Sequence, residues 1–167
     1  MTALAADPLA SETVYAATDR GVYKTTNGAR SWTPISLQYL GVDVLVVDSH
    51  TTPATLYAAS GGGLWTSADG GASWSYDTGM PYDQVFDLQI DARQHPLVVH
   101  ALAFSGANFA IFSRQGDTGW QFVAGRSGSS IEEAFAIGGG TLLLATAARA
   151  CSAPGTEART GSWRTSA

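Results

Sequence analysis

A short turn sequence that ends in tryptophan recurs along this chain and limits what the chain can fold into. Its clearest copy is Ser67–Trp74 (SADGGASW), a second is Thr25–Trp32 (TTNGARSW), and a third, weaker copy is Ser113–Trp120 (SRQGDTGW). The Asp or Asn at the third position accepts hydrogen bonds from backbone N–H groups a few residues on, which favours a tight turn. The glycines adopt positive φ without steric cost. Each copy therefore predicts a turn between two β-strands, with a buried indole in the returning strand.

These turns belong to a longer repeat. Trp32, Trp74, Trp120 and Trp163 follow one another at intervals of 42, 46 and 43 residues. Short runs rich in β-branched and aromatic residues precede each of the better-preserved turns; they are Leu4–Asp7, Thr13–Ala17 and Gly21–Lys24 in the first unit, and Leu45–Asp48, Thr55–Ala59 and Gly63–Thr66 in the second. A period of about 40–45 residues with four strands per unit is the pattern of a β-propeller blade.

We therefore predict an all-β chain that forms one β-propeller segment of about four four-stranded blades. The predicted blades are 3–36, 43–79, 85–125 and a degenerate fourth at 132–165. Val44–Val47 is apolar without alternation, which is typical of a strand that is covered on both faces. No strand is left over to join the last blade to the first, so we expect an incomplete ring or a fragment. Its open edges would favour self-association.

Composition excludes several classes of function. The net charge is −5 and the nine basic residues are scattered, which argues against a nucleic-acid surface. No apolar run approaches the roughly 20 residues of a membrane span. Met1–Ala10 lacks the features of a signal peptide, so we expect the chain as given to be cytoplasmic, whereas a longer parent could be exported. Cys151 is the single cysteine, and His50, His95 and His100 are not spaced as metal ligands, so we expect no disulfide, metal or cofactor.

The sequence Ser67–Trp74 satisfies every position of the Asp-box, S-x-D-x-G-x-x-W, also called the BNR repeat. With its flanking residues, the chain resembles the Asp-box propellers of the sialidase, sortilin and photosystem II assembly factor group. That resemblance implies structural turns on the outer part of each blade, remote from any active site. The turn residues that it implies are Thr25, Asn27, Gly28 and Trp32; Ser67, Asp69, Gly71 and Trp74; Ser113 and Trp120; and Trp163.

The favoured function is a non-enzymatic scaffold, because an Asp-box predicts architecture rather than chemistry. Such a scaffold would bind a protein or a glycan at the mouth of the channel. The inter-blade loops expected there are Leu40–Asp43, Pro81–Val85 and Arg126–Glu132.

The alternative is one half of a glycoside hydrolase. Thr13–Gly21 (TVYAATDRG) is similar to a catalytic segment of xyloglucan-active endoglucanases that consist of two Asp-box propellers. The resemblance implies that Asp19 is the general base and that the general acid lies in a second propeller. An Asp beside a Gly is also a common turn residue, so a purely structural role for Asp19 stays open.

Overall fold

The structure is a computed structural model that describes residues 2–48, 50–60, 62–82, 84–91, 93–94, 97–105, 108–116, 118–127, 133–138 and 141–146. All regular secondary structure in this part of the chain is β-strand. The strands are β1 (Ala3–Ala6), β2 (Val14–Thr18), β3 (Gly21–Thr25), β4 (Thr33–Ser36), β5 (Val42–Asp48), β6 (Thr55–Ser60), β7 (Gly63–Ser67), β8 (Ser75–Tyr76), β9 (Gln84–Asp91), β10 (Val98–Ser105), β11 (Asn108–Gln115), β12 (Gln121–Ser127), β13 (Glu133–Gly138) and β14 (Thr141–Thr146). The prediction of an all-β chain is confirmed. Within the described residues, no helix is long and apolar enough to cross a membrane.

Consecutive strands form three four-stranded sheets, each paired in sequence order. The first sheet is β1-β2-β3-β4, the second is β5-β6-β7-β8 and the third is β9-β10-β11-β12. All pairings are antiparallel, and β13 pairs with β14 in a two-stranded sheet. The rest of the predicted fourth blade, with Trp163, lies outside the described residues.

The three sheets pack face to face, and their first strands lie side by side. The innermost strand β5 contacts both β1 and β9. One apolar cluster fills the space between the first and second sheets and includes Tyr15, Leu45 and Leu56. A second cluster fills the space between the second and third sheets and includes Tyr57 and Leu88. Burial of these side chains is the main force that holds the sheets together.

The innermost strand of the second sheet is covered on both faces, as its unbroken apolar sequence predicted. Leu45 and Val47 pack into the cluster shared with the first sheet. Val44 and Val46 alternate with them and pack against the cluster shared with the third sheet. Because side chains alternate along a strand, four consecutive apolar residues are required at this position.

The turn tryptophans Trp74 and Trp120 pack against the sheet that precedes their own, whereas Trp32 has no such sheet among the described residues. Trp120 is 9% exposed between the second and third sheets. Trp74 is half-buried against the cluster between the first and second sheets. The prediction that every indole is buried is wrong for Trp32, which is 38% exposed. No described sheet precedes the first one, so nothing in the described structure covers this indole.

A substitution of Gly71 tests whether the turn packs closely on the preceding sheet. Gly71 has φ +92°, and a Cβ added there would overlap with Cδ1 of Ile35 in the first sheet. Gly28 occupies the matching region of the first turn with φ +65°, and its Cβ would point into open space. We expect Gly71→Ala to lower the free energy of unfolding by about 2–4 kcal/mol, through positive φ and overpacking together. Gly28→Ala should lower it by about 1 kcal/mol, through positive φ alone.

Urea unfolding of the two variants, followed by circular dichroism, measures the difference. Equal losses for Gly71→Ala and Gly28→Ala would show that the turn does not press against Ile35.

Candidate functional site

The connections between strands fall at two opposite edges of the sheets. At one edge β2, β6 and β10 end and β3, β7 and β11 begin; because it carries Asp19, we call it the Asp19 edge. The opposite edge carries 25–33, 67–75 and 115–120, and we call it the tryptophan-turn edge. The two sets of sequence-predicted residues, the turn residues and Asp19, are therefore separated by the length of the strands.

The second tryptophan turn is held by a buried hydroxyl and an exposed carboxylate. Ser67 is 1% exposed, and its Oγ accepts a hydrogen bond from the Gly71 N–H at 2.9 Å and donates one to Asp69 Oδ1 at 2.8 Å. Asp69 Oδ1 also accepts the Ser73 N–H at 2.9 Å. The Trp74 Nε1–H closes the turn by donating to the Gly71 carbonyl at 3.2 Å. Every polar group named here is thus used within the turn itself.

Hydrogen bonds to the ionised form lower the pKa of Asp69 to about 2 from its ordinary value of 3.8. The Ser73 hydroxyl makes the largest contribution, followed by the Ser73 N–H and the Ser67 hydroxyl. A carboxylate that accepts several hydrogen bonds is stabilised in its charged form. This carboxylate is committed to the turn and is a poor candidate for proton transfer at neutral pH.

The first turn repeats this arrangement without the charge. Thr25 is 1% exposed and its Oγ1 accepts the Ala29 N–H at 3.1 Å. Asn27 Oδ1 accepts the Ser31 N–H at 3.0 Å, as Asp69 does for Ser73. An amide oxygen therefore replaces the carboxylate as the hydrogen-bond acceptor of the turn.

The third turn is organised differently. Ser113 lies within β11, and no hydrogen bond joins its side chain to another described residue. Gln115 bonds through its backbone to the Thr118 hydroxyl, with N–H to Oγ1 at 3.2 Å and Oγ1 to carbonyl at 2.8 Å. Trp120 Nε1 donates to Asp77 Oδ2 of the second sheet at 3.1 Å. The indole is held by the neighbouring sheet rather than by its own turn.

A cleft of about 600 Å³ opens between the second and third sheets at the tryptophan-turn edge. One wall is an ion pair between Arg114 Nη1 and Asp77 Oδ2 at 2.5 Å. The guanidinium carbon of Arg114 lies 5.6 Å from the Tyr57 ring centre and 4.8 Å from that of Trp120. The charges of Arg114 and Asp77 neutralise each other, and their ion pair connects the second and third sheets. This pair therefore has a structural role.

Asp48, which also lines the cleft, belongs to a turn that recurs in all three sheets. Asp7, Asp48 and Asp91 each end the first strand of a sheet or follow it directly. Each accepts, on Oδ1, the N–H two residues further on, at 3.0, 2.8 and 3.1 Å. This Asp stands at the same place in all three units of the sequence repeat. The structure identifies it as the cap of the turn that leaves the innermost strand.

Asp19 lies at the tip of the β2–β3 hairpin and is exposed. Thr18 holds this turn: its Oγ1 donates to the Gly21 carbonyl at 2.8 Å and accepts the Arg20 N–H at 3.0 Å. No hydrogen bond or ion pair joins the Asp19 carboxylate to another residue that the structure describes. The side-chain hydrogen bonds of this turn thus come from Thr18, and the Asp19 carboxylate faces solvent.

Exposed aromatic side chains share the Asp19 edge, and sequence analysis did not single them out. Tyr39 is 92% exposed, in the loop between β4 and β5. Both Tyr39 (φ +71°) and Leu37 (φ +53°) adopt the left-handed backbone conformation, which is uncommon for such residues and concentrates at functional sites. Phe86 is 54% exposed and packs edge-on against Phe104, with ring centres 4.6 Å apart.

A β-bulge explains why Phe86 is exposed. Asp87 pairs with Leu102 and Val85 with Ala103, so Phe86 is the extra residue of β9 between them. A bulge redirects one side chain and is frequent beside functional sites. No sequence pattern in β9 indicated which residue would be displaced.

Asp87 is the described carboxyl group whose pKa is raised, and burial is the main cause. It lies on β9, the innermost strand of the third sheet, and accepts the Leu88 N–H at 2.8 Å. A raised pKa is what a general acid requires. Among the described residues, no three His, Cys, Asp or Glu side chains come together as a metal site would need.

No family model matches the chain, and no curated protein matches it in sequence. Solved structures do match it in fold. An ancestral GH74 enzyme aligns with a TM-score of 0.69 at 20% identity, over 86% of this chain and 21% of that chain. The GH74 enzyme of Niastella koreensis aligns with a TM-score of 0.62 at 21% identity, over 87% of this chain and 26% of that chain. This chain therefore spans about a fifth to a quarter of the length of these structures.

At such low identity the likeness shows the fold alone. Together with the three successive four-stranded sheets, it confirms the predicted fold class, an all-β propeller. The roles of the turn residues and of Asp19 are not decided by a shared fold.

The depressed pKa of Asp69 predicts a pH dependence of stability. Because the folded-state pKa lies below the ordinary value, this carboxylate stabilises the fold above about pH 4, and the stabilisation is lost as pH falls towards about 2. We expect Asp69→Asn to fold, since Asn27 fills the same role in the first turn. The variant should be less stable at pH 7 and lose less stability between pH 4 and pH 2 than the wild type does.

Urea unfolding at a series of pH values measures both quantities. Asp91 also has a pKa of about 2 because of Arg93, so a residual slope is expected in both proteins. Parallel stability curves for wild type and variant would contradict the assignment of this pH dependence to Asp69.

Proposed function

We propose that the chain is the glycan-binding part of a propeller glycoside hydrolase, in which Asp19 is one of two catalytic carboxylates. The observation that carries the proposal is the exposed Asp19 carboxylate, which takes no part in its own turn. A free carboxylate at a hairpin tip that other bonds already hold is available for a ligand. Further support comes from two solved structures of the same fold that are GH74 enzymes.

The exposed aromatic rings of the Asp19 edge support a glycan as the proposed substrate class. Exposed apolar surface beside polar groups marks a binding groove. Tyr39 and Phe86 present aromatic rings at the edge that carries Asp19. The apolar face of a sugar ring can stack on such rings, while the sugar hydroxyls bond to carboxylate and backbone groups. A β-glucan chain such as xyloglucan has both kinds of surface.

In this proposal Asp19 is the general base. An inverting glycosidase needs a carboxylate that activates water and a carboxylic acid that protonates the leaving oxygen, about 6.5–9.5 Å apart. Asp87 has the raised pKa of an acid, but it lies in the third sheet and Asp19 in the first. Packed sheets lie about 10 Å apart, so two such steps put the pair roughly 20 Å apart. In this proposal the general acid is therefore not Asp87 but a residue in another part of the enzyme.

The second candidate is a non-enzymatic scaffold that binds a glycan or a protein at the same edge. One observation favours it: the carboxylates of Asp48, Asp69 and Asp77 are already engaged in turns or in an ion pair, so they serve the structure rather than catalysis. A scaffold would keep glycan binding and lack hydrolysis.

We also propose that the tryptophan turns are Asp-boxes with a structural role. Support comes from the matched hydrogen bonds of Ser67 and Asp69 in one turn and Thr25 and Asn27 in the other. Their position at the edge opposite Asp19 agrees with a role in stability rather than in catalysis.

Replacement of Asp19 tests the catalytic part of the proposal. In the longest natural form of the protein, we expect Asp19→Asn to slow hydrolysis of xyloglucan by about 10²–10⁴-fold, because the general base is lost. Binding of a xyloglucan oligosaccharide should change by less than about threefold, since the amide keeps the shape of the side chain. Reducing-sugar release and isothermal titration measure the two effects.

Glu12→Gln is the matched control, because Glu12 is an exposed carboxylate at the opposite edge. It should leave both quantities unchanged. Hydrolysis that survives Asp19→Asn at the wild-type rate excludes the catalytic role. Binding without hydrolysis in the unaltered protein selects the scaffold.

Replacement of Phe86 tests the aromatic platform. Loss of a stacked ring weakens sugar binding, and we expect Phe86→Ala to raise the dissociation constant for a xyloglucan oligosaccharide about tenfold. Phe122→Ala is the control, since Phe122 is 65% exposed on the outer strand β12, away from the innermost strands. Equal affinities of the two variants would exclude stacking on Phe86.

A further inference from the structure

The first and second tryptophan turns carry the same side-chain hydrogen bonds on matching atoms. Asn27 Oδ1 accepts the Thr25 hydroxyl at 2.9 Å and the Ser31 N–H at 3.0 Å. Asp69 Oδ1 accepts the two corresponding groups of the second turn at 2.8 and 2.9 Å. The side chains of Asn27 and Asp69 therefore occupy the same place in their turns and point the same way.

The remaining polar atom of each side chain contacts a serine hydroxyl, and only the direction of that hydrogen bond differs. Asn27 Nδ2 donates to Ser31 Oγ at 2.8 Å. In the second turn, Ser73 Oγ donates to Asp69 Oδ2 at 2.5 Å. Because a hydroxyl can donate or accept, an oxygen in place of Nδ2 would keep this contact once the Ser31 O–H rotates. The first turn can therefore hold an aspartate as well as an asparagine.

The residue that follows Asn27 makes this exchange chemically accessible. Asn27 precedes Gly28, whereas Asn108, the other asparagine of the chain, precedes Phe109. An asparagine side chain can be attacked by the backbone nitrogen of the next residue, and glycine hinders that attack least because it has no side chain. Asn108 lies within β11, and Phe109 is 3% exposed. The two asparagines are therefore expected to differ in reactivity.

We propose that Asn27 is a deamidation site, at which the first turn gains the carboxylate that the second turn already has. The deprotonated Gly28 nitrogen attacks Cγ of Asn27, the Cγ–Nδ2 bond breaks, and Nδ2 leaves as ammonia. Water then opens the resulting cyclic imide, so that water is consumed and ammonia released, and the net charge of −5 becomes more negative by one. This inference is independent of the proposed function.

The folded turn slows this reaction. The Gly28 N–H donates to the Glu12 carbonyl at 3.0 Å. The Asn27 side chain points forward, towards Ser31. Before the imide can form, the Gly28 nitrogen must lose its hydrogen bond and its proton, and the Asn27 side chain must turn back towards it. Deamidation therefore requires the turn to open locally, and its rate reports how often the turn opens.

Opening of the imide gives two products, and only one of them fits the turn. Aspartate keeps the length of the backbone and places two oxygens where Asn27 has Oδ1 and Nδ2. Isoaspartate has an extra carbon in the backbone, so the bonds from Gly28 to Glu12 and from Ser31 to the side chain at position 27 cannot both be kept. A hydrogen bond to a charged acceptor is stronger than one to an amide, so the aspartate product is expected to be at least as stable as the parent.

Peptide mass spectrometry of the full chain, incubated in mildly alkaline buffer with and without urea, tests the proposal. Trypsin releases residues 25–30, which contain Asn27, and residues 94–114, which contain Asn108. In the folded chain we expect Asn27 to change from amide to acid while Asn108 stays intact, as fragment ions will show. In urea the conversion of Asn27 should be at least about tenfold faster. A folded chain in which Asn27 lasts as long as Asn108 overturns the proposal.

Ser31→Ala tests whether the turn controls the rate. Ser31 is exposed, so the variant should fold, and it removes the hydroxyl that accepts the Asn27 Nδ2 hydrogen bond. Deamidation of the folded variant should be about fivefold faster, the effect of one lost hydrogen bond, and its rate in urea should be unchanged. Ser73→Ala removes the corresponding hydroxyl of the second turn and is the matched control, which should react like the wild type. Equal rates in the folded wild type and Ser31→Ala would overturn the protective role of the turn.

Asn27→Asp has the same covalent structure as the aspartate product and tests whether the turn accepts the carboxylate. At neutral pH its midpoint of urea unfolding should equal or exceed that of the wild type. The fraction that contains isoaspartate, separated by chromatography, should unfold at a lower concentration of urea. A midpoint for Asn27→Asp below that of the wild type would contradict the match between the two turns.

Discussion

The packing of the second and third tryptophan turns onto the sheet that precedes each of them is the contact on which the rest of the structure depends. A four-stranded meander has two apolar faces and is marginal by itself, because it cannot bury both. At the interface between the first and second sheets, Ile35 meets Gly71, and Lys24 and Tyr15 bond to the Gly70 carbonyl. The turn thus fixes the distance between sheets, and the apolar clusters form at that distance.

This arrangement assigns different tasks to the two edges of the sheets. At the tryptophan-turn edge, polar groups such as Ser67 and Asp69 are used up in local hydrogen bonds. At the Asp19 edge, a threonine holds the hairpin and leaves the neighbouring carboxylate free. Residues can then change at the Asp19 edge without loss of the contacts between sheets, which is how one scaffold accommodates different ligands.

The sequence was sufficient to predict the architecture and insufficient to predict the site. The spacing of Trp32, Trp74 and Trp120 predicted successive sheets because one turn chemistry recurs at a blade-length period. The apolar run Val44–Val47 predicted a strand that is covered on both faces, because a strand with one face in water would alternate apolar and polar residues. Such a pattern tells which face is apolar but does not tell whether a partner covers it, so the exposure of Trp32 could not be foreseen. The exposure of Phe86 depends on a β-bulge. The Asp19 carboxylate makes no bond within its turn because Thr18 supplies the side-chain hydrogen bonds there. Neither could be predicted from the sequence.

The third turn shows how a repeat can lose its motif and keep its fold. Gln115 replaces the carboxylate that Asp69 supplies in the second turn. Asp77 of the second sheet, which follows Trp74 by the same three residues as Ile35 follows Trp32, takes the hydrogen bond from Trp120 and the ion pair with Arg114. A carboxylate from the neighbouring sheet therefore holds the indole that the turn no longer holds. Because this hydrogen bond crosses the interface between two sheets, a search for the motif within one unit does not find it.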